Sequence, residues 1–422
     1  MSLATAASVG LGLPNMPVAR VIGHPGVQSR EQLRTNVLDT TLQQVIDNLL
    51  KAPNAAKGDS DPGPRDVVVK GGFDEINDYF YRHELSDGLP IVPPTREKVE
   101  QFLKFTDRDP DESLGSLLPD SRAATIWSIA VNGVMAGCRP EYMPVLIAAL
   151  QAAADPEFGL YSVQATTHPC AVLMLISGPI VQELGLNFAH GSFGPGFRPN
   201  ASLGRAMRLV LMNVGGGIPG HGDQSTHGSP AKFSYCVAEN EAATPWEPFR
   251  VTRGFGKNDS TVTVFSGEGP HNVNDHVCTS AETTLTVVAN TMTTIGHNNA
   301  GSVIRGDVLV AFGPEHAHTV ASGGLSKGDV QKFLYERARN KVGLLKLRAM
   351  YKAENWPDWV DQADDEALCP IVGKPEDIHI VVTGGPGKHS AFIPTFGTSK
   401  SVTRKIEPRL APPRHDAGSR PR

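Results

Sequence analysis

The densest collection of chemistry-bearing side chains lies in the stretch NVGGGIPGHGDQSTHGSPAKFSYCVAENE, Asn213 to Glu241. His221, Asp223, His227 and Lys232 follow a run of glycines, and Glu239 and Glu241 flank Asn240 at the far end. Imidazole titrates near neutral pH, so His221 and His227 suit proton transfer, with Asp223, Glu239 or Glu241 as the second proton carrier. Lys232 and Asn240 can hold a polar substrate. Gly215–Gly217 and Gly220 would let the backbone pass close to a ligand, because no Cβ stands in the way. Long irregular loops inside a compact body are usually functional or disordered. Phe233, Tyr235, Trp246 and Phe249 argue against disorder. The segment is therefore expected to be an ordered loop around a small ligand.

Three other groups carry chemistry. Cys138 sits in MAGCRPEYMP, between two helical patterns and beside Arg139. A helix start and a neighbouring cation lower a thiol pKa, which would make Cys138 a nucleophile or redox thiol; otherwise it is a small buried hydrophobe. Asn200 and Arg205 follow GPGFRP, and Arg205 with Arg198 and Arg208 could clamp a carboxylate or phosphate, or form a polar helix face. His271, Asp275 and His276 lie together in HNVNDHVC, with His297 further on. Imidazole and carboxylate are transition-metal ligands, although this spacing matches no compact metal motif. A transition metal is therefore a candidate cofactor, and the sequence leaves the cofactor otherwise open. GGPGKHS is not a phosphate-binding P-loop, since its first glycine is misplaced.

The elements that must position these residues form a mixed pattern. Apolar runs enter Gly/Pro turns at VLMLISGPI, VLVAFGPEHA and IHIVVTGGPGKHS, and helical patterns separate them. That predicts an α/β or α+β fold, with mixed-sheet strands ending in Gly/Pro turns and covered by helices, and not an all-helical one. Ligands often bind where such strand ends meet, so the site is expected where the Gly215–Glu241 loop reaches those turns. Thr95, Ser280 and Ser326 are placed to cap helices, the last opening a single helix over 326–350. Residues 1–72 form an extension with one amphipathic helix and a Pro/Gly linker. Residues 73–400 form the main body, in one or two lobes, and 401–422 read as a disordered basic tail.

The 422 residues carry a net charge of −5, so the whole chain is not drawn to nucleic acid or to an acidic membrane. No apolar run reaches the length of a membrane helix. The five cysteines are scattered and odd in number, which fits reduced thiols in a cytoplasm.

Several blocks resemble a known group. DGLPIVPPT, NGVMAGCRPEYMPV, GPGFRPNASLGRAMRL, AENEAATPWEPF and GPEHAHTVASGGLSKGDVQKFL look like the large bacterial proteins grouped with the UGSC family of (seleno)proteins. The resemblance spans roughly residues 73–400. Cys138, Glu141, Asn200, Arg205, Glu239, Asn240, Glu241 and Trp246 fall in the matching blocks. It implies an enzyme whose smaller Gly-Ser-Cys domain bears a selenocysteine or cysteine. No CGSC segment occurs here, so the resemblance implies a small partner protein that supplies that thiol or selenol. The expectation is a cytoplasmic enzyme, either a homo-oligomer or joined by that small Gly-Ser-Cys partner protein, acting on a small polar, anionic metabolite. Acid/base and thiol chemistry would make it an oxidoreductase or lyase. The alternatives are a metal-dependent hydrolase built on His271–His297 and a non-catalytic scaffold for the thiol-bearing partner.

Overall fold

The computed structural model describes residues 17–23, 28–50, 63, 65–302, 306–347 and 356–407. The amphipathic helix forms as two α-helical stretches, Arg30–Asn36 and Leu42–Leu50, joined by a π-helical turn at Val37–Thr41. Ser29 caps it by accepting from the Gln32 amide while the Gln32 side chain accepts from the Ser29 amide. None of its residues is buried. Most of the linker, 51–62, lies outside the described residues.

Eight strands make two four-stranded mixed sheets. They are β1 (Ala171–Ser177), β2 (Cys236–Ala238), β3 (Thr261–Gly267), β4 (His271–Asn274), β5 (Val308–Phe312), β6 (Ile378–Val382), β7 (His389–Ile393) and β8 (Val402–Lys405). The first sheet runs β8-β3-β1-β2 and the second β4-β7-β5-β6. In each, the last two strands of the order are parallel (β1 with β2, β5 with β6) and the other pairings are antiparallel.

The alternation of side chains across each strand explains the layering. In β1, Leu173 and Leu175 join Val237, Phe265, Leu309, Ala311, Val381 and Ile393 in one cluster, so these faces of the two sheets pack on each other. The intervening residues Val172, Met174 and Ile176 turn the other way, onto helices α1 (Ile126–Met135), α2 (Met143–Ala153) and α3 (Arg198–Asn213). Likewise Val308, Val310 and Phe312 of β5 meet α4 (Ala281–Thr291), α5 (Pro314–Ser322) and α6 (Lys327–Arg337). All seven residues of β1 are buried, which is why AVLMLIS is a continuous apolar run rather than an alternating one. The result is four layers: helices, sheet, sheet, helices. It is a fold of the α/β or α+β class and not an all-helical one, as the sequence pattern predicts.

The two sheets repeat one plan. Adding four to each strand number turns β1, β2 and β3 of the first sheet into β5, β6 and β7 of the second. In both halves a strand enters Gly-Pro (Gly178-Pro179, Gly313-Pro314) and a helix follows at once. A longer helix, α3 or α6, then precedes the parallel neighbour strand. The fourth strand of each half crosses over: β4 adds to the edge of the second sheet and β8 to the edge of the first. The halves are thus interlocked by strand exchange.

Two expectations change. Val402–Lys405 is not tail but strand β8, with Val402 buried and paired to Val264, so the folded body extends at least to 407. Residues 408–422 lie outside the described residues. The single helix over 326–350 ends at Arg337; Arg339–Lys341 then pairs as a strand with Leu368–Pro370, and Val342–Lys346 is helical again. Thr95, Ser280 and Ser326 all cap helices as expected.

Candidate functional site

The glycine-rich stretch starts where α3 ends. Four of its glycines, Gly215, Gly216, Gly217 and Gly222, are needed for contact with the protein itself, whereas Gly220 faces open space. Gly216 has φ +75°, and a Cβ there would lie 2.2 Å from the Asp120 carboxyl carbon. A Cβ on Gly222 would lie 2.0 Å from the Gly216 carbonyl oxygen. The chain folds tightly back on itself: the amides of His221 and Asp223 donate to the Ile218 carbonyl, and the Gly220 amide donates to the Asp223 carbonyl. The ligand role expected of Gly215–Gly217 is thus replaced by self-packing, and its effect is to turn Asp223 inward.

Asp223 is the hub. Its Oδ2 accepts from Arg208 Nη2 at 3.0 Å and from Lys232 Nζ at 2.6 Å, and its Oδ1 accepts from the Ser225 amide at 3.0 Å. The second Arg208 anchor is the Gly217 carbonyl, at 2.9 Å. Burial pulls the Arg208 guanidinium below its ordinary pKa, and Asp223 pulls it back up. One carboxylate therefore faces two cations in a largely dry wall, which leaves one net positive charge. That wall borders a cleft of about 910 Å³. Its other side is Tyr81–Asp87, with Ile218, Pro219, Met212 and Phe233 as apolar lining and Ser225, Thr226, His227 and Ser229 as polar lining. His227 is exposed at the cleft. His221 instead lies 3.8 Å from Glu84 of the facing rim.

The sequence candidates separate into two groups because β2 runs between them. Asp223, His227 and Lys232 precede β2, near Thr167 and His168 at the start of the parallel strand β1; the Thr226 amide donates to the Thr167 carbonyl. Glu239, Asn240 and Glu241 follow β2, at the opposite end. There Glu239 accepts from Ser177 Oγ and the Phe249 amide, and Glu241 accepts from the Gly178 amide and pairs with Arg250. Burial raises the Glu239 carboxyl above its ordinary value, against the pull of Ser177, the Phe249 amide and Lys327. Asn240 joins the sheets: its amide donates to Val382 and its side chain to Gly384. These three residues brace the ends of β2 and β6 and do not join the cleft. The cleft consequently lies at the start of the parallel strands rather than at the Gly/Pro turns where they end.

Other candidates also take structural places. Arg205 makes a bidentate pair with Asp87 at 2.7 and 2.8 Å and donates to the Pro90 carbonyl, so it clamps the DGLP block onto α3. Asn200 exchanges hydrogen bonds with the Asn187 backbone. Cys138 is buried, and desolvation pushes its thiol up to about 12 despite a hydrogen bond with Ser202 and the nearby Arg198 and Arg205. It is not an activated thiol. The metal set disperses. His297 is buried, with Nε2 facing the Met292 carbonyl and Nδ1 accepting from the Ala300 amide. Asp275 Oδ1 accepts from the Val277 and Cys278 amides, while His271 lies in β4 opposite Phe392. Among the described residues no three His, Cys, Asp or Glu side chains gather as a metal site.

A buried Asp-His-Ser grouping invites a different misreading. His379 Nε2 lies 2.9 Å from Asp307 and 3.0 Å from Ser401 Oγ, and Ser401 Oγ donates to the same Asp307 oxygen. One imidazole nitrogen serves both partners, so no proton can be relayed from one face of the ring to the other. All three are buried between the sheets, where they fix β8 against β6.

Sequence reading named Arg208 only beside Arg198 and Arg205 and gave the anchoring role to Arg205; it missed Asp87 and Tyr81 across the cleft. Arg208 had a signal: it is the polar position of an otherwise apolar turn, RLVLM. The 81–87 segment had none, being distant in sequence. No protein-family model, curated protein or solved structure matches the chain. The UGSC resemblance therefore rests on the quoted blocks alone.

Proposed function

We propose that the chain is an enzyme acting on a small polar, anionic molecule held in the cleft between residues 81–87 and 218–233. The observation that carries this reading is Asp223 shared between Arg208 and Lys232 in the cleft wall. A carboxylate or phosphate on the ligand completes the charge balance there, with charge-assisted hydrogen bonds from cations that Asp223 already orients. His227 is the acid/base group at the open side. An anion anchor and a base are what proton abstraction beside a carboxylate, followed by elimination, requires. This favours a lyase over a thiol-linked oxidoreductase, because the Cys138 thiol is buried and held protonated at neutral pH. No described helix is long and apolar enough to cross a membrane, and the five cysteines are unpaired, in keeping with a cytoplasmic enzyme.

The test is a thermal-shift and calorimetric panel of dicarboxylates and phosphorylated compounds. At least one class should stabilise the wild-type chain, and Lys232→Met should abolish the effect. His227→Ala should keep binding but lose solvent-deuterium exchange into the bound compound, followed by NMR. Binding that persists unchanged in Lys232→Met refutes the site.

A further inference from the structure

We propose that His276 and His389 form a two-histidine site for a divalent transition-metal ion of the zinc, nickel or copper class, on the half of the molecule remote from the cleft residues. His389 opens strand β7, and His276 lies in the loop that follows β4. Their Nε2 atoms face each other at 3.3 Å, with ring planes at 81°. That separation is within hydrogen-bond reach, at its long end. It matches two nitrogens on one tetrahedral ion, which at metal–nitrogen distances of about 2.0–2.1 Å lie roughly 3.3–3.4 Å apart.

The orientation of His389 is fixed independently. Its Nδ1 is 3.0 Å from the Asn272 side-chain oxygen, across the β4–β7 pairing. An amide oxygen only accepts, so Nδ1 carries the proton and Nε2 presents its lone pair toward His276. Outer partners of this kind hold metal-binding histidines in the right tautomer. Both rings are exposed, so an ion can enter without a large desolvation cost. The neighbouring carboxylates are engaged elsewhere: Glu315 accepts from the Gly387 amide, and Asp275 from the Val277 and Cys278 amides. Lys388 donates to the His276 carbonyl, and His316 Nε2 lies 2.9 Å from the Asp275 carbonyl oxygen. Two protein ligands leave the remaining positions to water, so the ion would be exchangeable. It would tie the 275–278 loop to the start of β7.

The experiment is a zinc titration of the full chain against a chromophoric chelator, with parallel melting curves in EDTA. One zinc per chain is expected. Asn272→Ala should weaken binding by roughly tenfold, the usual lower effect of losing an outer partner. His276→Ala and His389→Ala should each weaken it more. His318→Ala, an exposed histidine on α5, should change nothing. Equal melting in EDTA shows that the variants are folded; His389→Gln replaces His389→Ala if it is not. Absence of a stoichiometric zinc, retention of it in either histidine variant, or its loss in His318→Ala overturns the site.

Discussion

Asp223→Ala removes a carboxylate that is 2% exposed from between Arg208, 10% exposed, and Lys232, 12% exposed. Breaking a buried pair by deleting one member costs about 3–5 kcal/mol, because the remaining charge stays desolvated without a partner. Here two like charges remain. Lys232 can swing toward the cleft, so the lower end, ~3 kcal/mol, is the expected loss. Unfolding entropy of about 2.1 cal/mol/K per residue over roughly 330 body residues gives ~0.7 kcal/mol/K, hence a Tm lower by ~4 °C. The double variant with Lys232→Met should recover part of the loss, roughly 1 kcal/mol or more, because it removes the repulsion. Denaturant titrations at low and high salt measure both quantities. If Asp223→Ala lies within about 0.5 kcal/mol of wild type, or if Lys232→Met adds to the damage, then the carboxylate is not the hub of the wall.

Gly222→Ala should destabilise by at least ~1 kcal/mol, since its Cβ would meet the Gly216 carbonyl oxygen at 2.0 Å and backbone must move; melting curves show it, and a neutral result refutes the self-packing account. Iodoacetamide at mildly alkaline pH should label Cys278, the one half-buried cysteine, and spare Cys138, whose thiol burial pushes up to about 12. Peptide mass spectrometry decides, and early labelling of Cys138 would restore it as a candidate nucleophile. Glu239→Gln should flatten the acid side of the stability profile. Burial raises the folded-state Glu239 carboxyl above its unfolded value, so its proton favours folding at low pH, and stability falls as pH rises from ~4.3 through the folded value. Denaturant curves of the variant should lack that fall; an identical profile refutes the assignment.

The strands and caps were legible because local chemistry specifies them. VLMLIS, VLVAF and IHIVV are apolar throughout except for Ser177 and His379, which only a sheet covered on both faces supports, and Ser280 and Ser326 meet their helix amides as hydroxyl caps. The shared Gly-Pro exit from β1 and β5 was visible too, and it marks the repeated half. Strand exchange was not visible. VTRK carries two cations, and nothing local says that Val402 will pair with Val264 rather than extend into the tail. The site was half legible for the same reason. Asp223, His227 and Lys232 share one loop and end in one cleft. Glu239 and Glu241 are only a few residues further on, but three residues of extended strand, about 10 Å, carry them to the other end of the sheet. Proximity in sequence misled there, because a strand separates its two flanks as far as its length allows.

The repeated plan also says where function has been added. In both halves a long helix, α3 or α6, must return to the start of the parallel strand, β2 or β6. In the second half that return is made through residues 338–377, within which Arg339–Lys341 pairs antiparallel with Leu368–Pro370. In the first it is the 214–235 segment, which turns Asp223 onto Arg208 of the preceding helix and Lys232 of its own short turn. The sheets and their inter-sheet core are common to the halves; the cleft is not. A loop that differs between two copies of one scaffold, and that gathers two buried cations on one carboxylate beside an open volume, has been shaped by something other than the need to close the fold. The second-half segment makes the same return without a described cluster of this kind, so exchanging the two returns is the strictest comparison of scaffold with site. A chimera carrying residues 338–377 in place of 214–235 should retain the Phe265–Ile393 inter-sheet core and lose every anion-dependent thermal shift. A chimera that still responds to the anion would move the binding site away from Asp223 altogether.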